Sequence, residues 1–199
     1  MPIVSGLVPV LALFAGVPLA AAATPAVEVL NVNGSGCRQH TTAVALSPDR
    51  AAFTITYSAY LTQLTTGSVT QVGVDCRVNL KITAATGYAP VITSVDYRGF
   101  AEIAPGASGQ QSASYRFHGA ARVESTGRTF TGPFSDYWQA TDPGDGGPLV
   151  GGCGSPVLDV DSSLNLAAGS SVAGSASYLA MDSTDGVASS TYHLTWQRC

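Results

Sequence analysis

The sequence predicts an all-β protein, a two-sheet antiparallel β-sandwich (jelly-roll or immunoglobulin-like) stapled by disulfides. Three observations carry that expectation. Apolar and polar residues alternate with period two in segment after segment. Turn-forming pairs built on Gly, Pro, Asn or Asp punctuate those segments at short intervals. An even set of four cysteines, Cys37, Cys76, Cys153 and Cys199, follows an apolar leader.

The leader, "MPIVSGLVPVLALFAGVPLAAAA" over residues 1–23, carries no charge and ends in alanines. That suits the apolar region and small-residue cleavage site of a secretory signal peptide, although the basic n-region is missing. Pro9, Gly16 and Pro18 interrupt the run and no basic flank follows it, which argues against a transmembrane helix. The expected organisation is a signal peptide over 1–23 and one β-sandwich domain over 24–199. The mature protein is expected to be secreted and extracellular, with no membrane span.

Strands follow in order. One is expected at 27–32, closed by Asn33-Gly34, and another at 41–46, closed by Ser47-Pro48-Asp49. "AFTITYSAYLTQ" reads as a single strand with Phe53, Ile55, Tyr57, Ala59 and Leu61 inward and Tyr60 on the other side. "VDCRVNLKIT" puts Val74, Cys76, Val78, Leu80 and Ile82 inward, and Thr86-Gly87 ends it. After a strand at 90–102 and the turn Pro105-Gly106, "ASYRFHGAARVE" places Tyr115, Phe117, Gly119, Ala121 and Val123 on one face. Further strands are expected at 134–141, 157–166 and 172–181, and "STYHLTWQRC" closes the chain with Tyr192, Leu194 and Trp196 aligned. No segment beyond the leader shows a period of 3.6.

Only 11% of the chain is charged and its net charge is −4, so the clustered Lys and Arg that neutralise nucleic-acid phosphates are lacking. Seven aspartates lie beyond Arg128, where Arg198 is the only base, so the C-terminal part is expected to present a negative field.

No C-x-x-C spacing occurs, against zinc-ribbon and thioredoxin-type readings. Four cysteines allow three pairings. Cys37–Cys76 with Cys153–Cys199 is favoured, because each bridge then ties a chain terminus to a neighbouring strand.

Hydrolase signatures are missing: there is no G-x-S-x-G, H-E-x-x-H or P-loop. His40, His118 and His193 are far apart in sequence, and no catalytic residue is assigned. The strongest binding candidate is the stretch "TFTGPFSDYWQATDPGDGGP", which brings aromatics beside an acidic glycine-rich loop. Phe134, Asp136, Tyr137, Trp138, Asp142 and Asp145 form the candidate binding loop, since rings stack on apolar faces and carboxylates accept from hydroxyls. No cofactor is expected; "MDSTDGV" resembles a fragment of a Ca²⁺ loop, but it lacks the regular ligand spacing and the closing Glu, and a hairpin turn explains it more simply. Asn33-Gly34-Ser35 is an N-x-S sequon, which makes Asn33 a candidate glycosylation site.

The strings "VNGSGC", "LSPD", "CRVNLKI", "VDYRGFAEI", "YRFHG", "GPFSDY" and "MDSTDG…YHLTWQRC" resemble, in order, the secreted proteins grouped as domain of unknown function 4360. Ser135 stands where a glycine is familiar, and the 62–73 loop differs. The resemblance implies an exported, cysteine-bridged β domain and brings no activity or site residue with it. The leading functional expectation is a non-enzymatic module that binds an extracellular protein or glycan. The alternatives are a hydrolase using carboxylates, with or without Ca²⁺, and a protease inhibitor built on "GGCGSP" around Cys153.

Overall fold

The computed structural model describes residues 23–181 and 189–199. Residues 1–22 of the expected signal peptide and residues 182–187 of the "MDSTDGV" turn, with Asp182 and Asp185, fall outside that range.

In chain order the strands are β1 (Ala26–Asn33), β2 (Thr42–Leu46), β3 (Ala52–Tyr57), β4 (Leu61–Thr65), β5 (Gln71–Thr83) and β6 (Tyr88–Ile103). They continue with β7 (Ser108–Phe117), β8 (Glu124–Thr131), β9 (Phe134–Asp142), β10 (Leu149–Val150), β11 (Val157–Ala167), β12 (Ala176–Ala180) and β13 (Ser189–Arg198). All the pairings are antiparallel, and they form two sheets. One sheet has five strands in the order β1-β5-β11-β7-β8. The other has eight, built on the path β2-β3-β13-β6-β12-β4, with β9 and β10 also paired to β6.

The core lies between the sheets. Leu80, Ile82, Leu158 and Leu164 of the smaller sheet face Phe53, Ile55, Val95 and Leu179 of the larger one, all fully buried. Each such side chain contributes roughly 1.5–3 kcal/mol relative to exposure. Tyrosines fill the wider gaps: Tyr192 stacks on Phe53 at 4.8 Å and meets Tyr115 edge-on at 5.6 Å. Burial pushes the Tyr57 hydroxyl up to about 12 and raises those of Tyr60, Tyr97, Tyr115 and Tyr192 as well.

Cys37 is bonded to Cys76 and Cys153 to Cys199. The first bridge joins the turn after β1 to β5, inside the smaller sheet. The second joins the β10–β11 connection to the end of β13, so it links the two sheets.

Three sequence expectations need correction. "AFTITYSAYLTQ" is two strands: the chain bends at Ser58-Ala59, which resets the alternation, so Tyr60 is buried and donates to Ser162 Oγ at 3.0 Å. "ASYRFHGAARVE" stops being a strand after Phe117. Gly119 adopts φ +79°, and Gly119, Ala121 and Val123 are exposed rather than inward. The negative C-terminal field is neutralised in part, at Asp159 and Asp161. Pairing sets β11 between β5 and β7, so Arg77 holds Asp161, while Arg116 and His118 flank Asp159.

Candidate functional site

Alternation along β9 decides the fate of the aromatic stretch. Phe134, Trp138 and Asp142 fall on the inner face, and Ser135, Tyr137, Gln139 and Thr141 on the outer one. Trp138 is only 4% exposed. Its ring packs 5.3 Å from Phe130, opposite Gly99 of β6. A Cβ at Gly99 would collide with the Ala180 carbonyl and lie 2.6 Å from the Trp138 ring, so glycine makes room for the tryptophan. Phe134 is half-buried against Phe130, with centroids 5.5 Å apart.

Asp142 is also inside. It accepts from the Tyr115 hydroxyl at 3.1 Å and from the Gly144 amide at 3.0 Å. Of the candidate binding loop, Trp138 and Asp142 therefore turn inward and are buried, where they pack and bond within the sandwich. Asp136 is exposed and accepts from the Tyr137 amide at 2.8 Å, and Asp145 is exposed in the loop after β9.

Tyr137 remains outside, 54% exposed. Its cross-strand partner on β6 is Phe100, and the rings meet edge-on with centroids 5.3 Å apart. Tyr178 of β12 approaches the other side of Phe100 at 6.2 Å. One register step along, Tyr178 stands opposite Glu102, and Gln63 of β4 opposite Tyr178. Phe100, Glu102, Tyr178 and Gln63 border a hollow of about 340 Å³. The outer face of the larger sheet thus carries a shelf of three rings edged by a carboxylate and an amide.

Sequence reading found Tyr137 and missed Phe100, Tyr178, Glu102 and Gln63. These sit on three further strands, and only the pairing of β9, β6, β12 and β4 brings them to one place. The alternation of "RGFAE" does turn Phe100 and Glu102 to the same face, a sign available in the sequence.

On the same sheet His193 Nε2 lies 2.9 Å from Asp96 Oδ2, and the Thr141 hydroxyl donates to Asp96 at 2.6 Å. Thr141 and His193 together hold the Asp96 carboxyl below its usual range. The group ties β13, β6 and β9 across their outer face. Among the described residues no group of three or more His, Cys, Asp or Glu is placed to hold a metal. No helix among them is long and apolar enough to cross a membrane.

The remaining candidates lie at turns. Asn33 is exposed at the end of β1, beside Gly34, whose φ of +140° and contact with the Asp75 carbonyl exclude a side chain. Ser35 Oγ donates to Asp75 at 2.6 Å and accepts the Asp75 amide at 3.0 Å, which lowers the Asp75 carboxyl. The "GGCGSP" loop is pinned on both sides by Gly154 N to Tyr88 O and Ala84 N to Gly154 O, besides the bond to Cys199.

Fold, bridges and surface define the class: a disulfide-bonded β-sandwich with a ring-bearing open face. The family model described as "Domain of unknown function (DUF4360)" matches residues 23–199, and the chain belongs to that family. A relative from Arthroderma benhamiae, named as an uncharacterized secreted protein, is 30% identical over 169 residues, covering 83% of this chain and 68% of its own length. Among solved structures, TmCBM61 in complex with β-1,4-galactotriose aligns over 85% of this chain and 88% of its own, at 8% identity and a TM-score of 0.35.

Proposed function

We propose that this protein is a secreted, non-enzymatic binding module that holds an extracellular glycan on the shelf formed by Phe100, Tyr137 and Tyr178. Two bridges and a secreted relative support export. The observation that carries the site is the half-exposed Tyr137 ring seated on Phe100, which itself borders, with Tyr178, a hollow edged by Glu102 and Gln63.

Rings offer a flat apolar face to the C–H side of a sugar, and tyrosine orders at low entropic cost. Glu102 accepts from hydroxyls, while Gln63 both donates and accepts, so the polar edge matches the polar rim of the same ring. The hollow is open and shallow, which suits surface capture of a polymer.

Tyr137→Ala tests the reading on an array of extracellular polysaccharides. The expected result is at least a tenfold loss of affinity for a glycan the wild type binds, with an unchanged melting temperature. Equal affinity in the two proteins would move the site elsewhere.

A further inference from the structure

We propose that the outer face of the smaller sheet carries a second, independent site, for a neutral hydroxyl-rich oligosaccharide, centred on the bay between Leu30, Asn79, Arg116 and Asp159. The starting observation is a bulge. The register of β1 on β5 shifts between Val29 and Asn31, leaving Leu30 as the extra residue. Val29 and Val32 both keep their inner positions, which explains the bulge. It does not explain a leucine at the inserted position, where the side chain is 50% exposed and adds nothing to the core.

Leu30 stands instead at the wall of a bay of about 580 Å³. The floor is the Asp159 carboxylate, whose side chain is 12% exposed and takes Asn79 Nδ2 at 2.7 Å. Arg116 Nε lies 3.6 Å and His118 Nδ1 3.4 Å from the same carboxylate. Arg77, beside them, is paired with Asp161.

The chemistry selects a neutral ligand. Each guanidinium on this face is matched by a carboxylate, so little net field remains to capture an ion. A fixed row of N–H donors and carboxylate acceptors suits adjacent hydroxyls of a sugar, one accepting from Arg116 or Asn79 and the next donating to an aspartate. Leu30 would cover the apolar side of the same ring.

Two further hollows follow the bay along β11, one lined by Ser112, Ser163 and Asp75 and the other by Gly73, Gln110 and Asn165. At about 3.3 Å per residue, the strand spans roughly 35 Å, room for several linked sugars. Small side chains keep the floor low and hydroxyls and amides keep it polar, so the occupant is a chain and not a single compact molecule.

This site and the aromatic shelf lie on opposite sheets, and one stretch of glycan cannot fill both. The module is therefore bivalent and gains avidity on a multi-chain polymer. The test is titration of the full chain with neutral and uronic-acid oligosaccharides, in Tyr137→Ala and in Tyr137→Ala combined with Leu30→Asp or Arg116→Ala, alongside thermal melts. Tyr137→Ala is expected to retain neutral-oligosaccharide binding, and either added substitution to reduce it at least tenfold without moving the melting temperature. The proposal falls if Tyr137→Ala alone abolishes binding, if both added substitutions leave it intact, or if only uronic-acid probes bind. Should Leu30→Asp alone abolish binding while Tyr137→Ala has no effect, the shelf reading fails and this one stands.

Discussion

The two outer faces of the sandwich solve the problem of exposure differently. The smaller sheet covers itself with serine, threonine, amides and mutually paired charges, and its exposed leucine, Leu30, arrives by a bulge. The larger sheet groups three rings on its outer face, Tyr137 exposed and Phe100 and Tyr178 half-buried. Exposed rings leave apolar surface in contact with water, which a ligand or partner gains by covering, whereas paired charges offer donors and acceptors with little net field. The same contrast recurs at single-residue scale on β9. Trp138 and Tyr137 are neighbours in sequence, yet one belongs to the core and the other to the surface.

The comparison is sharpened first by removing what both faces share. Replacing all four cysteines by serine is expected to release about 4 kcal/mol per bridge, a loss comparable with the stability of a whole domain. Denaturant titration of the variant should show little or no folded baseline. Trp138→Ala comes next, with an expected loss of about 3–5 kcal/mol by the cavity it leaves against Phe130. A loss below about 1 kcal/mol would place Trp138 outside the core.

Alkaline pH separates inner from outer rings without mutation. The core tyrosines are raised by burial, Tyr57 to about 12. The unfolded chain ionises near pH 10 while the fold keeps these protons, so stability is fully present below pH 10 and declines above it. The expected slope is about 1.4 kcal/mol per pH unit for each such tyrosine, until its folded value is reached. Melting temperatures recorded from pH 8 to 11.5 check the onset. The smallest stability effect expected is that of Tyr137→Ala, within about 0.5 kcal/mol, because the ring is half-exposed and lies on the outer face of its sheet.

Much of this fold can be read from residue order. Strict alternation in "VDCRVNLKIT" and "STYHLTWQRC" marks β5 and β13, and Gly87 and Gly106, both with positive φ, mark true ends. Alternation failed where the chain bends without a Gly or Pro signal, as at Ser58-Ala59, because Tyr60 then returns to the core from a new direction. The site was harder to see. A cluster of aromatics in sequence is divided between two faces when it lies on a strand. The shelf itself depends on pairing between β6, β9 and β12, whose register partners are up to 80 positions apart, as for Phe100 and Ala180. The bulge at Leu30 left only a spacing of three between Val29 and Val32.

The central claim is that the rings outside β6, β9 and β12 form the ligand face, while those inside serve stability. Backbone amide chemical-shift mapping of the full chain during titration with a bound neutral glycan tests it most directly, read on Tyr137→Ala so that the opposite sheet is reported separately. In the wild type the largest shifts are expected at Phe100, Glu102, Tyr137 and Tyr178, and Tyr137→Ala should remove them while leaving any at Leu30 and Arg116. Shifts confined to the loops around Asp145 and Cys153, with none at the three rings, would contradict it.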